Sequence, residues 1–270
     1  MPKKTVAKKS PKKTARKTTV VKKVKKQTKA VRKNSRKKLS DFKVSLRDLV
    51  EAGCHFGHQV RRWNPKAAPF IWKAREGVHI LDLIKTQKYL RDACLAARDL
   101  VTQGGTILFV GTKRQAGDII KEEATKAGMP YVNIRWLGGT LSNWDQISKS
   151  IEKLIDMKKN RAAGEFKKYT KREQVMLDKE IVRLEYLFGG IENLKDIPDA
   201  LFIVDSKKEK ITVKEAKQEH LKIFAIVDSN ADPTEIDWPI PANDDAIRSI
   251  KIIVTEFAKA VEEGVGLRKK

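Results

Sequence analysis

A set of short apolar runs, alternating with helical patterns, limits this chain to few folds. Thr106-Ile-Leu-Phe-Val110, Leu201-Phe-Ile-Val204 and Ile223-Phe-Ala-Ile-Val227 show no polar alternation. Such runs belong to strands covered on both faces. Tyr131-Val-Asn-Ile134 reads as a further strand, and a short one is expected around Trp238-Pro-Ile240. Helical patterns fall between them: from about Arg114 to Ala127, closed by Gly128; from Val213 to Leu221; and from Asp244 to about Glu263. Strand–helix–strand alternation implies right-handed crossovers. The expected class is therefore α/β, a doubly wound parallel sheet with helices on both sides.

Before the first buried strand, Ser45-Leu-Arg-Asp48 reads as a capping-box variant opening a short helix that stops at Gly53. The stretch from His55 to Glu76 is irregular, and Val78–Leu81 is extended. Asp82 is placed to cap a long helix to about Gln103, ended by Gly104-Gly105. Residues 143–189 break the alternation. Ile147, Ile151 and Leu154, then Leu177, Ile181, Leu184 and Phe188, follow heptad-like spacing in two helical stretches. Thr170-Lys-Arg-Glu173 is a capping box for the second. The pattern predicts an inserted helical hairpin in antiparallel coiled-coil contact; two ordinary helices lying on the sheet is the plainer alternative. The chain then divides into a disordered Lys-rich arm at 1–38, an α/β three-layer domain from 39–142 and 190–264, the hairpin at 143–189, and a basic tail at 265–270.

Charge is unevenly placed. The 270 residues carry a formal charge of +24, yet residues 1–38 hold 18 of the 58 basic residues and no acidic one. The rest has 40 basic against 34 acidic residues, a net of +6. The arm has no aromatic residue, so it buries too little to offset the entropy of ordering and is expected to be disordered when free. No run is apolar for long enough to cross a membrane, and the charged N-terminus lacks the apolar segment of a secretory signal. The arm is acid-free, but its Lys dominance, Pro2 and Pro11 do not suit an organellar transit peptide. Cys54 and Cys94 form no CxxC pair and read as reduced core thiols. A pI near 9.9 points to a polyanionic partner.

A wound sheet invites a nucleotide-binding reading, but the phosphate loops are missing. Gly111-Thr-Lys-Arg-Gln-Ala-Gly117 matches neither GxGxxG nor a P-loop, and Leu137-Gly-Gly-Thr140 lacks the further glycine. Lys113 and Arg114, at an expected helix start, are placed to hold a phosphate, and an RNA phosphate serves as well as a nucleotide's. Asp205 and Asp228 end strands and point into one crevice. Turn capping is their plainer role; a divalent ion at Asp205 and Asp228, with His55 or His58, is the sharper one. No nucleophile–base set stands out, so neither catalysis nor a small-molecule substrate is expected, and no cofactor beyond that ion.

The densest site signal is Gly53-Cys-His-Phe-Gly-His-Gln-Val-Arg-Arg-Trp-Asn-Pro-Lys66. Arg61, Arg62 and Lys66 have no acid nearby in sequence, which favours an outside partner. Trp63 and Phe56 offer flat faces, and His58, Gln59 and Asn64 offer hydrogen-bonding groups. That mixture suits RNA, whose unpaired bases stack on aromatic rings. Arg135 with Trp136, and Asn143 with Trp144, form a second mixture, in which Trp136 reads as core. The expected RNA-binding set is His58, Gln59, Arg61, Arg62, Trp63, Asn64, Lys66, Lys113, Arg114, Arg135 and Asn143.

These residues also carry a resemblance. The Gly53–Lys66 stretch, Phe109-Val-Gly-Thr-Lys113, Arg135-Trp-Leu-Gly-Gly139, Ser142-Asn-Trp144, Phe224-Ala-Ile-Val-Asp-Ser-Asn-Ala-Asp-Pro233 and Ile240-Pro-Ala-Asn-Asp-Asp-Ala-Ile247 together resemble the bacterial type of the small-subunit ribosomal protein two family. The match runs in order from about Ser45 to Gly264. It implies a flavodoxin-like domain with a protruding helical hairpin and a structural role in the cytoplasmic ribosome. It also implies a place on the solvent side of the small subunit, bridging head and body. The implied partners are small-subunit rRNA and neighbouring ribosomal proteins, including the mRNA-binding ribosomal protein one where present. The arm 1–38 is outside the family pattern, and Cys54 stands where a small aliphatic residue is commoner. The histone-tail-like arm leaves a nucleoid-associated DNA-binding protein as the alternative.

Overall fold

The computed structural model describes residues 42–268. The expected arm at 1–38 lies outside them, as do the last two residues of the expected tail. A capping box does open the first helix, α1 (Leu46–Glu51): the Ser45 and Asp48 side chains each accept from the other's backbone N–H. Three strands follow, β1 (Phe56–Gln59), β2 (Ile71–Arg75) and β3 (Val78–Leu81), paired antiparallel in the order β1-β3-β2. Glu76 and Gly77 between β2 and β3 both have positive φ, the conformation a tight two-residue hairpin needs. Asp82 then caps α2 (Leu83–Thr102), its carboxylate accepting from the Ile84 and Lys85 N–H groups.

The buried runs form a five-stranded, fully parallel sheet. Its strands are β4 (Ile107–Val110), β5 (Tyr131–Val132), β6 (Ala200–Val204), β7 (Lys222–Val227) and β8 (Trp238–Pro241), in the order β5-β4-β6-β7-β8. The connecting helices are α3 (Gly117–Lys126), α4 (Trp144–Ala162), α5 (Lys171–Phe188) and α6 (Lys210–Gln218), and α7 (Ile247–Arg268) follows the last strand. Residues alternate faces along a strand, so both faces are apolar. Phe109, Phe202 and Phe224 stand in register on one face and meet Phe257 of α7, which stacks on Phe202 at 4.2 Å. Leu108, Val110, Leu201, Ile203, Ile223, Ala225 and Val227 form one cluster with buried residues of α4, α5 and α6.

Residues 143–189 contain no strand. Ile147, Ile151 and Leu154 of α4 and Ile181, Leu184 and Phe188 of α5 are buried in the sheet's second cluster. Beyond Leu154, and before Ile181, neither helix has a buried residue. Lys153–Glu180 and Arg161–Asp178 ion pairs link the two helices. The turn between them passes through Gly164, at φ +76°.

Four details differ from expectation. The segment 55–76 contains two strands; β2 is almost wholly exposed and so lacks the polar–apolar alternation that marks a half-buried strand. Helix α3 starts at Gly117 rather than Arg114, because Lys113–Ala116 forms a turn in which the Lys113 carbonyl accepts from Ala116 and Gly117. Strand β5 stops at Val132, where β4 gives out. Helix α7 starts at Ile247 rather than Asp244 and runs past Glu263 into the expected tail, to Arg268. Gly264 lies within this helix against α2, where a Cβ would be 2.8 Å from the Arg98 carbonyl oxygen.

Candidate functional site

Lys113, just past β4, meets the carboxyl ends of β6 and β8. Its Nζ lies 2.6 Å from Asp245, 2.9 Å from Asp244 and 3.4 Å from Asp205. Lys113 therefore does not face solvent to meet a phosphate, as the sequence suggested; it neutralises an acidic crevice. Burial alone would lower its pKa, but the three carboxylates outweigh burial and raise it. Asp244 is fully buried, and burial with Asp205 and Asp228 nearby pushes it up to about 7 despite Lys113. Asp245 is exposed; the hydrogen bond and charge of Lys113 outweigh burial and hold it below the usual range.

His58 closes the crevice. Its Nδ1 is 2.9 Å from Asp228 Oδ2 and its Nε2 is 3.5 Å from Asp245. The Asp228 carboxylate beside it raises the imidazole pKa against the effect of burial. The His58 backbone N–H donates to Ser229 Oγ at 2.9 Å, and the Asn64 N–H donates to the Ser229 carbonyl at 2.8 Å. Gly57 makes this approach possible: a Cβ there would stand 2.9 Å from Ser229 Oγ and 3.1 Å from the His79 carbonyl oxygen. The β1 segment is thus fastened to the end of β7.

Among the described residues, the group whose possible metal-ligand atoms gather within 4.8 Å is His58, Asp244 and Asp245. Of the four residues singled out from sequence, only His58 is in that group. His55 is half-buried beside Phe56. Asp205 spends one oxygen accepting from the Lys207 and Lys208 N–H groups, and Asp228 contacts His58. Asp244 and Asp245 carry no site signal in the sequence; only the fold brings them to Lys113.

The remaining residues of the expected set divide by exposure. Gln59, Arg61, Arg62, Trp63, Lys66, Arg114, Arg135 and Asn143 are exposed. Asn64 is half-buried and accepts from the Lys66 N–H, opening a short 3-10 helix. Arg61 is steadied by Gln59, at 2.9 Å. Lys66 does have an intramolecular acid, contrary to the reading from sequence proximity: its Nζ is 2.5 Å from Asp232. Trp63 rests its ring near buried His79 and keeps 39% of its surface open. Trp136 is core, and the glycine loop beside it has a structural purpose. Buried Glu215 accepts from the Gly139 and Leu141 N–H groups at 2.8 and 3.0 Å, so those donors hold a carboxylate rather than a pyrophosphate.

Strand β2 has no alternation in sequence to mark it as a site. Its Trp72 is 65% exposed, and Lys73 and Arg75 beside it are exposed too. Both cysteines are buried, and burial pushes the Cys54 thiol up to about 11, far from a reactive thiolate. Among the described residues no helix is long and apolar enough to cross a membrane. Compared with known families, residues 49–264, four fifths of the chain, match the family described as Ribosomal protein S2.

Proposed function

Because the chain belongs to the ribosomal protein S2 family, a family of structural, non-enzymatic small-subunit components acting in translation, we propose that it contacts small-subunit rRNA through the β1 segment and its neighbours. The observation that carries this is the exposed Gln59-Val-Arg-Arg-Trp63 stretch, anchored to β7 by His58, Asn64 and Ser229. A rigid base with open Arg and Trp side chains loses little entropy on meeting phosphates and bases. Arg114, Arg135 and Asn143 are the outlying contacts, and Lys66 offers its remaining N–H donors past Asp232. Neighbouring ribosomal proteins, including ribosomal protein one where present, are the protein partners, in the cytoplasm and on the solvent side of the subunit between head and body.

The strand order supports a flavodoxin-like reading: counted along the sheet it is 2-1-3-4-5, with the reversal between β4 and β6. The seams and cross-helix ion pairs of α4 and α5 support an antiparallel coiled-coil hairpin whose far end stands off the sheet. At the reversal, Lys113 pairs with Asp205, Asp244 and Asp245 and so neutralises carboxylates that would otherwise attract a divalent cation, which supports a role without a cofactor. Changing Arg61 and Arg62 together to Ala is expected to reduce incorporation into small subunits and to flatten the salt dependence of rRNA binding by about 2 in log–log slope. Normal incorporation with an unchanged slope would overturn the site, and crosslinks in cells mainly to DNA would favour the nucleoid reading.

A further inference from the structure

We infer that the open face of the small antiparallel sheet is a platform for unpaired nucleotides, with Phe56 and Trp72 stacking on bases and Lys73 and Arg75 meeting phosphates. This rests on the rRNA-binding reading and specifies the kind of RNA the surface takes. Directly paired residues of antiparallel strands share a face. The register therefore sets Phe56, Ile80 and Lys73 in one cross-strand row and Gln59, Val78 and Arg75 in the next. The opposite face carries His79 and Leu81, both buried. On the open face Val78 and Ile80 are half-buried in the middle strand, while Phe56 at one edge is 50% exposed.

Trp72 sits at an irregularity of the other edge, where the β2–β3 register shifts between Ile71 and Lys73. Bulges re-aim side chains, and this one leaves the ring in solvent, with Lys73 Nζ 4.0 Å from its centre. Core packing does not explain an indole left 65% open. Charge selects the partner: from Val60 to Gly77 there are five basic residues and one acid, Glu76, which pairs with Arg75. Flat rings need exposed base faces. A duplex hides those faces in its stack, whereas loops and bulges present them. A surface that mixes exposed rings and cations therefore favours unpaired RNA over duplex and over an acidic protein.

The test uses the full chain with two probes, a fluorescent oligouridylate and a blunt RNA duplex of equal length. Phe56→Ala with Trp72→Ala is expected to weaken oligouridylate binding roughly tenfold or more and to leave duplex binding nearly unchanged. Trp72→Phe is expected to retain most of the preference. Trp72→Ala alone, at an exposed position, is expected to melt like the wild type and still lose part of it. Crosslinks from this face in assembled subunits are expected at unpaired rRNA nucleotides. An unchanged single-strand to duplex ratio in the double variant, or crosslinks from this face only to protein, would overturn the platform. In those cases wild-type crosslinks elsewhere to small-subunit rRNA would leave the broader reading standing; their absence would remove both.

Discussion

Asp244 is a carboxylate with no exposed surface, one oxygen on Lys113 and the other without a hydrogen-bond partner among the described residues. Removing a carboxylate from water favours its neutral form, and Asp205 and Asp228 add to that, so Lys113 offsets only part of the shift. The consequence for stability has a definite sign. Folding raises this pKa from 3.8 to about 7, so between those values the folded chain holds a proton that the unfolded chain has released. The contribution is complete below the unfolded value and is lost as pH rises through the folded one, at a limiting slope of about 1.4 kcal/mol per pH unit. His58, raised by Asp228 and facing Asp245, acts in the same direction around neutrality. Asp245, lowered by Lys113, acts oppositely at the acid end. Asp244→Asn keeps the shape and removes one titration. Its urea stability relative to wild type is expected to improve as pH rises from about 4 to 7 and then level off. A difference that stays constant across that range would mean Asp244 is ionised throughout.

The fully buried residues of α4 and α5 lie at one end of the pair, and the seat there is narrow. At the exit of α5, Gly190 lies so close to β5 that a Cβ would run into the Tyr131 carbonyl oxygen. Backbone cannot yield as a flexible side chain does, so the strand edge or the helix pair must shift. Gly190→Ala is expected to destabilise the fold by roughly 1–3 kcal/mol in chemical denaturation. Gly138→Ala, where no atom lies within 4 Å, is the matched control and is expected to be nearly neutral. Equal stability of the two variants would show that the seat is soft. The limits of α4 and α5 were readable from sequence because Thr170 and Glu173 form a reciprocal cap and the apolar spacing is local. Their seating on the sheet was not, since Tyr131 and Gly190 are distant in sequence and glycine carries no pattern of its own. The same holds for β1 and β2. Their pairing with β3 buries little on the open face, so alternation never appears, and the bulge at Trp72 breaks what remains.

Across the whole chain, what could be read early was what local chemistry dictates: strands covered on both faces and helices with caps. The crevice could not, because it draws His58, Lys113, Asp205, Asp228 and Asp244 from five separate segments and converts an expected phosphate contact into an internal ion cluster. Net charge misleads in a related way. The +24 is mostly the acid-free segment 1–38, while residues 39–270 carry +6. The family match begins at residue 49, so that basic segment lies outside what the family shares. The two parts are then expected to separate in a binding experiment. The base-reading and stacking groups proposed above belong to residues 39–270, whereas Lys-rich charge acts on phosphates regardless of sequence. If about six of the basic residues in 1–38 meet phosphates, deleting the segment flattens the log–log salt slope by roughly 5. The same deletion is expected to leave the position in the assembled subunit, and the oligouridylate-to-duplex ratio, as they were. Measured between low and physiological salt, an unchanged slope would assign the segment to a partner other than RNA. A displaced protein in the subunit would instead mean that the segment shares in recognition with Arg61, Arg62 and the small sheet.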